Sequence, residues 1–216
     1  MKHGKLFSEQ ETAILEEIMM SRRDVRGNRF LHKEVGDDIL DRLISAALYS
    51  PSVGFSQPWE FVVIRDDSVK QQVKASFDME NDKAKDLFTD ARQEQYTRLK
   101  LEGIIEAPVN IAVFYKPSAG PVLGQTSMGN AGLFSVVCAV QNMWLMARAL
   151  NIGMGWVSIL DPEHIKRILN APEQHQLVAY LCIGWVDKFL TRPELEELQW
   201  EKRKEKSTVV YCEGYP

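Results

Sequence analysis

One apolar run dominates the pattern of hydrophobic and polar positions along this chain. From Ala131 to Leu150 it is hydrophobic on nearly every side, interrupted by Ser135, Gln141, Asn142 and Arg148. A run of that length could cross a bilayer. However, a Gln-Asn pair at mid-depth followed by an arginine would be costly in lipid. The pattern predicts instead a helix buried all round, the axle of a large core. Asn151-Ile-Gly153 supplies a stop, with Gly153 suited to a left-handed cap. Trp156–Leu160 comes next with strand character.

Shorter patterns surround the axle. Ser8–Glu11 reads as a capping box opening a helix with Ile14, Leu15, Ile18 and Met19 as its apolar positions. Asp37 to Leu48 predicts a second helix with Ile39, Leu40, Leu43, Ile44 and Ala47 on one face. Phe61–Ile64, Val109–Tyr115 and Leu177–Ile183 read as strands, and Pro162–Leu169 as a short helix with proline in its first turn. Ser68 to about Leu101 is helical in pattern but polar, which suits a surface flap better than a core element. The tail from Arg192 to Pro216 mixes charge with Val209-Val-Tyr211 and reads as an extended arm. No linker, low-complexity run or repeat divides the chain, so residues 1–216 are expected to form a single α+β domain.

Composition narrows the function more than the fold. The 216 residues are 45% hydrophobic and 26% charged, with a net charge of -4, which argues against a nucleic-acid partner. Cys138, Cys182 and Cys212 are an odd count, and the first two lie in apolar runs. Buried thiols in a reducing compartment are expected, not a disulfide frame. The N-terminal stretch has no apolar signal core, so a cytoplasmic location is expected, with no membrane partner. His3, His32, His164 and His175 are scattered and no cysteine pair has metal-ligand spacing. A P-loop, G-x-G-x-x-G and G-x-S-x-G are all absent. Gly153-Met-Gly155 leads into a strand, the reverse of the dinucleotide order.

Five places are candidates for chemistry. Arg22, Arg23, Arg26 and Arg29 crowd one loop with Asp24 among them; a shared phosphate would relieve their repulsion, as would solvent on a plain basic turn. Arg203 is another candidate phosphate ligand. Pro51-Ser-Val-Gly-Phe-Ser-Gln-Pro-Trp59 brings hydroxyl, amide and aromatic groups into one turn-rich loop, equally readable as a connection that buries Trp59. Ser158 in Gly155-Trp-Val-Ser-Ile159 reads most simply as a strand serine. Lys100, Glu102 and Glu106 fit a helix surface.

Taken together, these pieces resemble the flavin-dependent nitroreductase superfamily. Arg22-Arg-Asp-Val-Arg26 is similar to its R-R-S-x-R element, and Pro51–Trp59 to its P-S-S-x-N-x-Q-P-W loop. Ala139–Asn142 through Gly155–Ser158 resembles its central helix and following strand. The likeness runs from about Ile14 to Arg203. Asp24 stands where serine is usual and Phe55 where asparagine is usual. With residues 99–104, 138–149 and 155–159, those departures resemble the branch of 5,6-dimethylbenzimidazole synthases, which consume reduced FMN and dioxygen.

The resemblance implies a mixed sheet flanked by helices, a long buried central helix and an intertwined homodimer. It implies an FMN site lined by Arg22, Arg23, Asp24, Val25 and Arg26, with Ser52 and Ser158 near the flavin and Arg203 on the phosphate. Asp24 and Ser158 are the implied catalytic positions. Residues of about 80–101 would form a lid, and about 192–216 an arm wrapped on the partner. A separate flavin reductase would supply reduced FMN. The rival readings are an NAD(P)H-dependent nitroreductase with an open flavin face, a non-enzymatic flavin-sequestering protein, and a deiodinase-like relative that also carries a lid.

Overall fold

Alternation along two central strands decides the architecture of the computed structural model, which describes residues 4–215. In β2 (Val109–Tyr115) and β4 (Gln176–Trp185), Val109, Ile111, Val113, Ala179, Leu181 and Ile183 join one apolar cluster. Ala112, Phe114, Tyr180 and Cys182 join the other, as the twofold period of a strand requires. Both faces of the sheet are therefore covered, and the strands read as unbroken apolar runs. β1 (Trp59–Ile64) and β3 (Ile152–Val157) complete the order β1-β2-β4-β3.

Every pair in that sheet is antiparallel. A mixed sheet was the expectation, and parallel character enters only through an isolated bridge between Asp24 and Met154. The physical reason is topological: β2 and β3 run the same way, but β4 lies between them and runs opposite to both, so no two neighbouring strands are parallel.

One face of the sheet is roofed by α2 (Asp37–Leu48) and α5 (Ala131–Ala149), which supply Leu40, Leu43, Ala47, Val136, Ala139, Val140, Met143 and Ala147. Burying a side chain such as Met143 completely contributes about 2 kcal/mol. The other face is covered by α3 (Asp67–Lys85) and α6 (Pro162–Ile168), through Val73, Phe77 and Ile165. The first half of the polar stretch from Ser68 is thus core structure, and only the part beyond α3 is separate. There α4 (Asp90–Thr97) stands apart, with Tyr96 its one buried residue. α1 (Glu9–Ser21) begins with the full capping box, Ser8 Oγ accepting from the Glu11 amide, yet it buries no residue. The short α7 (Glu194–Glu197) belongs to a tail whose described residues beyond Trp200 are all exposed.

Three local expectations change. The stop after α5 is taken by Asn151, at φ 55°, while Gly153 lies inside β3. β3 begins at Ile152 and ends at Val157, earlier than the expected Trp156–Leu160 strand. Cys138 is exposed, not buried, because it falls on the outer face of α5 with Phe134, Val137 and Gln141. Cys182 is buried as expected, and burial pushes its thiol pKa up. Among the described residues no helix is long and apolar enough to cross a membrane. His3 and Pro216 lie outside the described residues.

Candidate active site

Beyond α1 the chain turns extended and lies against β3. The Val25 amide donates to the Met154 carbonyl at 3.1 Å, and Val25 itself is buried. This approach explains Gly153-Met-Gly155. A side chain at Gly153 would strike Val186 and Val25, and a Cβ at Gly155 would overlap the Val25 carbonyl oxygen. The glycines make room for another segment of backbone.

Asp24 is fixed by that approach. Its Oδ1 accepts from the Trp156 amide at 3.1 Å, and its Oδ2 pairs with the Arg26 guanidinium. Burial raises the Asp24 pKa above the ordinary carboxylate value; Arg26, the Trp156 amide and Arg22 pull the other way without cancelling it. Arg26 also donates to the Leu101 carbonyl at 2.9 Å, linking the two sides of the site. Arg26 and Arg22 flank the carboxyl, but desolvation outweighs them in the direction of the shift.

The other arginines separate by role. Arg22 lies over the Trp144 ring, 4.7 Å from its centroid, and the Trp144 indole donates to the Arg23 carbonyl. Arg23 donates to the carbonyls of Met20, Arg22 and Thr191, while its Nε is buried without a partner among the described residues. Burial lowers its pKa, and the charges of Arg22, Arg203 and Arg148 lower it further. That repulsion marks a concentration of positive charge. Arg29 does not line the cleft that the others face but lies 3.9 Å from Glu194, which does.

These groups face a cleft of about 690 Å³. Met19, Met20, Arg22, Arg23, Asp24 and Arg26 line one wall; Leu99, Lys100, Leu101, Pro193, Glu194, Leu195, Leu198 and Arg203 line the other. Arg203 thus comes to Arg22 and Arg23 from the far end of the chain. Val25 sits behind the wall. Ser52 and Ser158 do not line this cleft. Ser52 Oγ accepts from the Gln57 amide at 3.1 Å, within a turn where Gly54, Phe55 and Gln57 all have positive φ. Ser158 is exposed one residue beyond β3.

Lys100 is the cleft residue that sequence pattern misreads. It lies in no helix, and its ammonium meets Glu102 at 2.7 Å and Glu106 at 2.8 Å. Burial works against its charge, but the two carboxylates outweigh it and raise its pKa. Only the spacing Lys100-x-Glu102 hinted at the pair. Chemically, the arrangement offers an anion site, a carboxyl that holds its proton unusually well, and a fixed ammonium in one cavity of mononucleotide size.

Residues 19–185 match the nitroreductase family. The 5,6-dimethylbenzimidazole synthase of Rhodospirillum rubrum is 40% identical over 206 residues, covering 94% of this chain and 97% of the relative. A 5,6-dimethylbenzimidazole synthase of Rhodobacter capsulatus is 35% identical over 198 residues, covering 91% and 95%. In fold, the chain is similar to oxidised iodotyrosine deiodinase bound to FMN and 3-iodo-L-tyrosine, with a TM-score of 0.72 at 21% identity, covering 93% of this chain and 99% of that one.

Proposed function

The chain belongs to the nitroreductase family, and from that premise we propose that it is a 5,6-dimethylbenzimidazole synthase. It breaks reduced FMN with dioxygen to give 5,6-dimethylbenzimidazole, the lower ligand of vitamin B12, and erythrose 4-phosphate. The observation that carries this reading is Asp24, held between the Trp156 amide and Arg26 in a cleft whose opposite wall is a separate flap. Identity of 40% to a 5,6-dimethylbenzimidazole synthase over nearly the whole chain supports it.

The residues fit FMN. The repelling Arg22, Arg23 and Arg203, with the unpartnered Nε of Arg23, suit a phosphate dianion. Bound FMN supplies the ring and ribityl chain that are both reductant and carbon source. Asp24 would hold or move a proton beside the ribityl chain, and the burial that raises its pKa favours the protonated form. Arg26 orients that carboxyl. The flap, confined to about 86–101 beyond α3, and the arm, 192–216, would exclude water and outside acceptors, leaving the flavin itself to be oxidised.

Two copies complete the site. Leu15 and Met19 on α1, and Phe134 and Val137 on α5, are exposed apolar groups that a single chain leaves uncovered. Ser52, outside the cleft of its own chain, reaches the flavin from the second copy, and Ser158 joins it at the interface. Phe134→Asp is expected to shift the mass in sedimentation from dimer to monomer and to abolish product formation. A separate flavin reductase supplies the reduced FMN.

The test is anaerobic mixing with excess reduced FMN, admission of air, and chromatography with mass detection. 5,6-Dimethylbenzimidazole is the expected product. Intact reoxidised flavin, with turnover of nitro compounds by NAD(P)H, would establish an ordinary nitroreductase instead.

A further inference from the structure

The flap and the C-terminal segment are joined at a point that neither core supplies. Phe88, just before α4, stacks on Tyr96 with ring centroids 5.0 Å apart, and Trp200 packs edge-on against Phe88 at 5.3 Å and tilted against Tyr96 at 6.1 Å. None of these three rings belongs to either of the apolar clusters on the faces of the sheet. The contact is reinforced by polar groups on the same helix. The Arg92 guanidinium lies 3.5 Å from the centroid of the Trp200 ring and donates to the Trp200 carbonyl at 2.7 Å. Gln95 donates to the Leu198 carbonyl at 2.7 Å.

The backbone is bent to make this meeting. Gln199 has φ 56°, a conformation uncommon for a residue with a side chain, and it turns Trp200 back towards α4. On the flap side, Tyr96 precedes Leu99, Lys100 and Leu101 of the cleft wall. On the arm side, Trp200 precedes Arg203, whose charge is felt by Arg23. Two residues separate Trp200 from Arg203, so movement of one cannot be large without the other.

We propose that Trp200 is a positioning residue that latches α4 to the segment carrying Arg203. The flap then closes when an anion is captured between Arg203 and the Arg22–Arg23 pair, and opens when it leaves. The step involves no covalent change. It rests on the reading of the cleft as an FMN phosphate site, and it adds that the phosphate, not the ring, commands the flap.

Hydrogen exchange of residues 87–98, followed by mass spectrometry, tests the latch without reference to turnover. FMN is expected to slow exchange there, and riboflavin, which lacks the phosphate, is not. Trp200→Ala should lose about tenfold of the FMN-dependent protection of 87–98 while exchange in β2 and β4 is unchanged; Trp200→Phe should restore most of it. Should the alanine variant not accumulate, Arg92→Leu breaks the cation–ring contact and the carbonyl bond while keeping all three rings, and carries the same expectation at smaller amplitude. Equal protection of the flap by riboflavin, or full FMN protection in Trp200→Ala, would overturn the latch. If protection tracks the phosphate but no 5,6-dimethylbenzimidazole is formed by the wild type, the latch stands and the synthase reading fails. With both correct, Trp200→Ala lowers the fraction of reduced flavin fragmented relative to that reoxidised intact.

Discussion

The two walls of the cleft enclose the same space but are held by different forces. The wall carrying Asp24 is laid on β3 by backbone bonding and by the absence of side chains at Gly153 and Gly155. Its position is set by the sheet and cannot shift without disturbing the core. The wall carrying Leu99–Leu101, Leu198 and Arg203 is attached through α4 and α7, which contribute no residue to either apolar cluster. Leu101 anchors it to the second apolar cluster and to Arg26, while α4 and the tail hold each other through three aromatic rings, one cation–ring contact and two hydrogen bonds to carbonyls. Groups that must keep a fixed geometry sit on the first wall, and groups that must let a ligand in sit on the second. Low local stability is where gating motion is found.

The largest effect is expected from removing the chemistry of the fixed wall while keeping its shape. Asp24→Asn should cut product formation by at least about 100-fold while FMN binding, followed by fluorescence titration, is retained. Full activity in this variant would detach Asp24 from the reaction. Next comes the shape itself. Gly155→Val places a side chain on the Val25 carbonyl oxygen, a backbone atom with no room to yield. It should cost about 3 kcal/mol in urea unfolding and loosen Asp24 with it.

A smaller change sharpens the electrostatics of the same wall. Arg26 lowers the Asp24 pKa against a dominant desolvation, so Arg26→Gln should move the acid limb of the activity profile to higher pH. An unmoved limb would mean that another group titrates there. The sign for stability comes from the same shift. A carboxyl whose pKa is higher in the folded chain than in the unfolded one holds its proton in the window between them. Wild type should therefore lose stability relative to Asp24→Asn as pH rises through that window. The smallest effect belongs to the detachable wall. Arg98 and Glu94 form an exposed pair 3.6 Å apart on the flap, and Arg98→Ala should change unfolding free energy by under about 0.5 kcal/mol.

Much of this molecule was legible before its structure. The capping box of α1, the amphipathic period of α2, the three strand runs and the α5 helix, though not its expected burial on every side, arise from local pattern, because each depends on neighbours within a few residues. The arginine cluster with Asp24 was equally visible, although pattern left open whether a bound anion or solvent screens it. Family resemblance added Arg203, which no local pattern could have tied to residue 22. What pattern misjudged was covering. α1 and α5 are both apolar, yet α5 buries Val136, Val140 and Met143 while α1 buries nothing. Hydrophobicity states that a surface avoids water, and says nothing of which surface meets it.

Local pattern specified most of the elements and the positions where chemistry was to be sought. Only the tertiary structure decided that Asp24 meets the Trp156 amide 132 residues away, and that the glycines of β3 exist to admit Val25. It also decided that Lys100 is a clamped cation beside the cleft and that Trp200 joins flap to arm. These are contacts between distant segments, set by how side chains fill the space between them, and a period of two or of 3.6 residues carries no record of that distance.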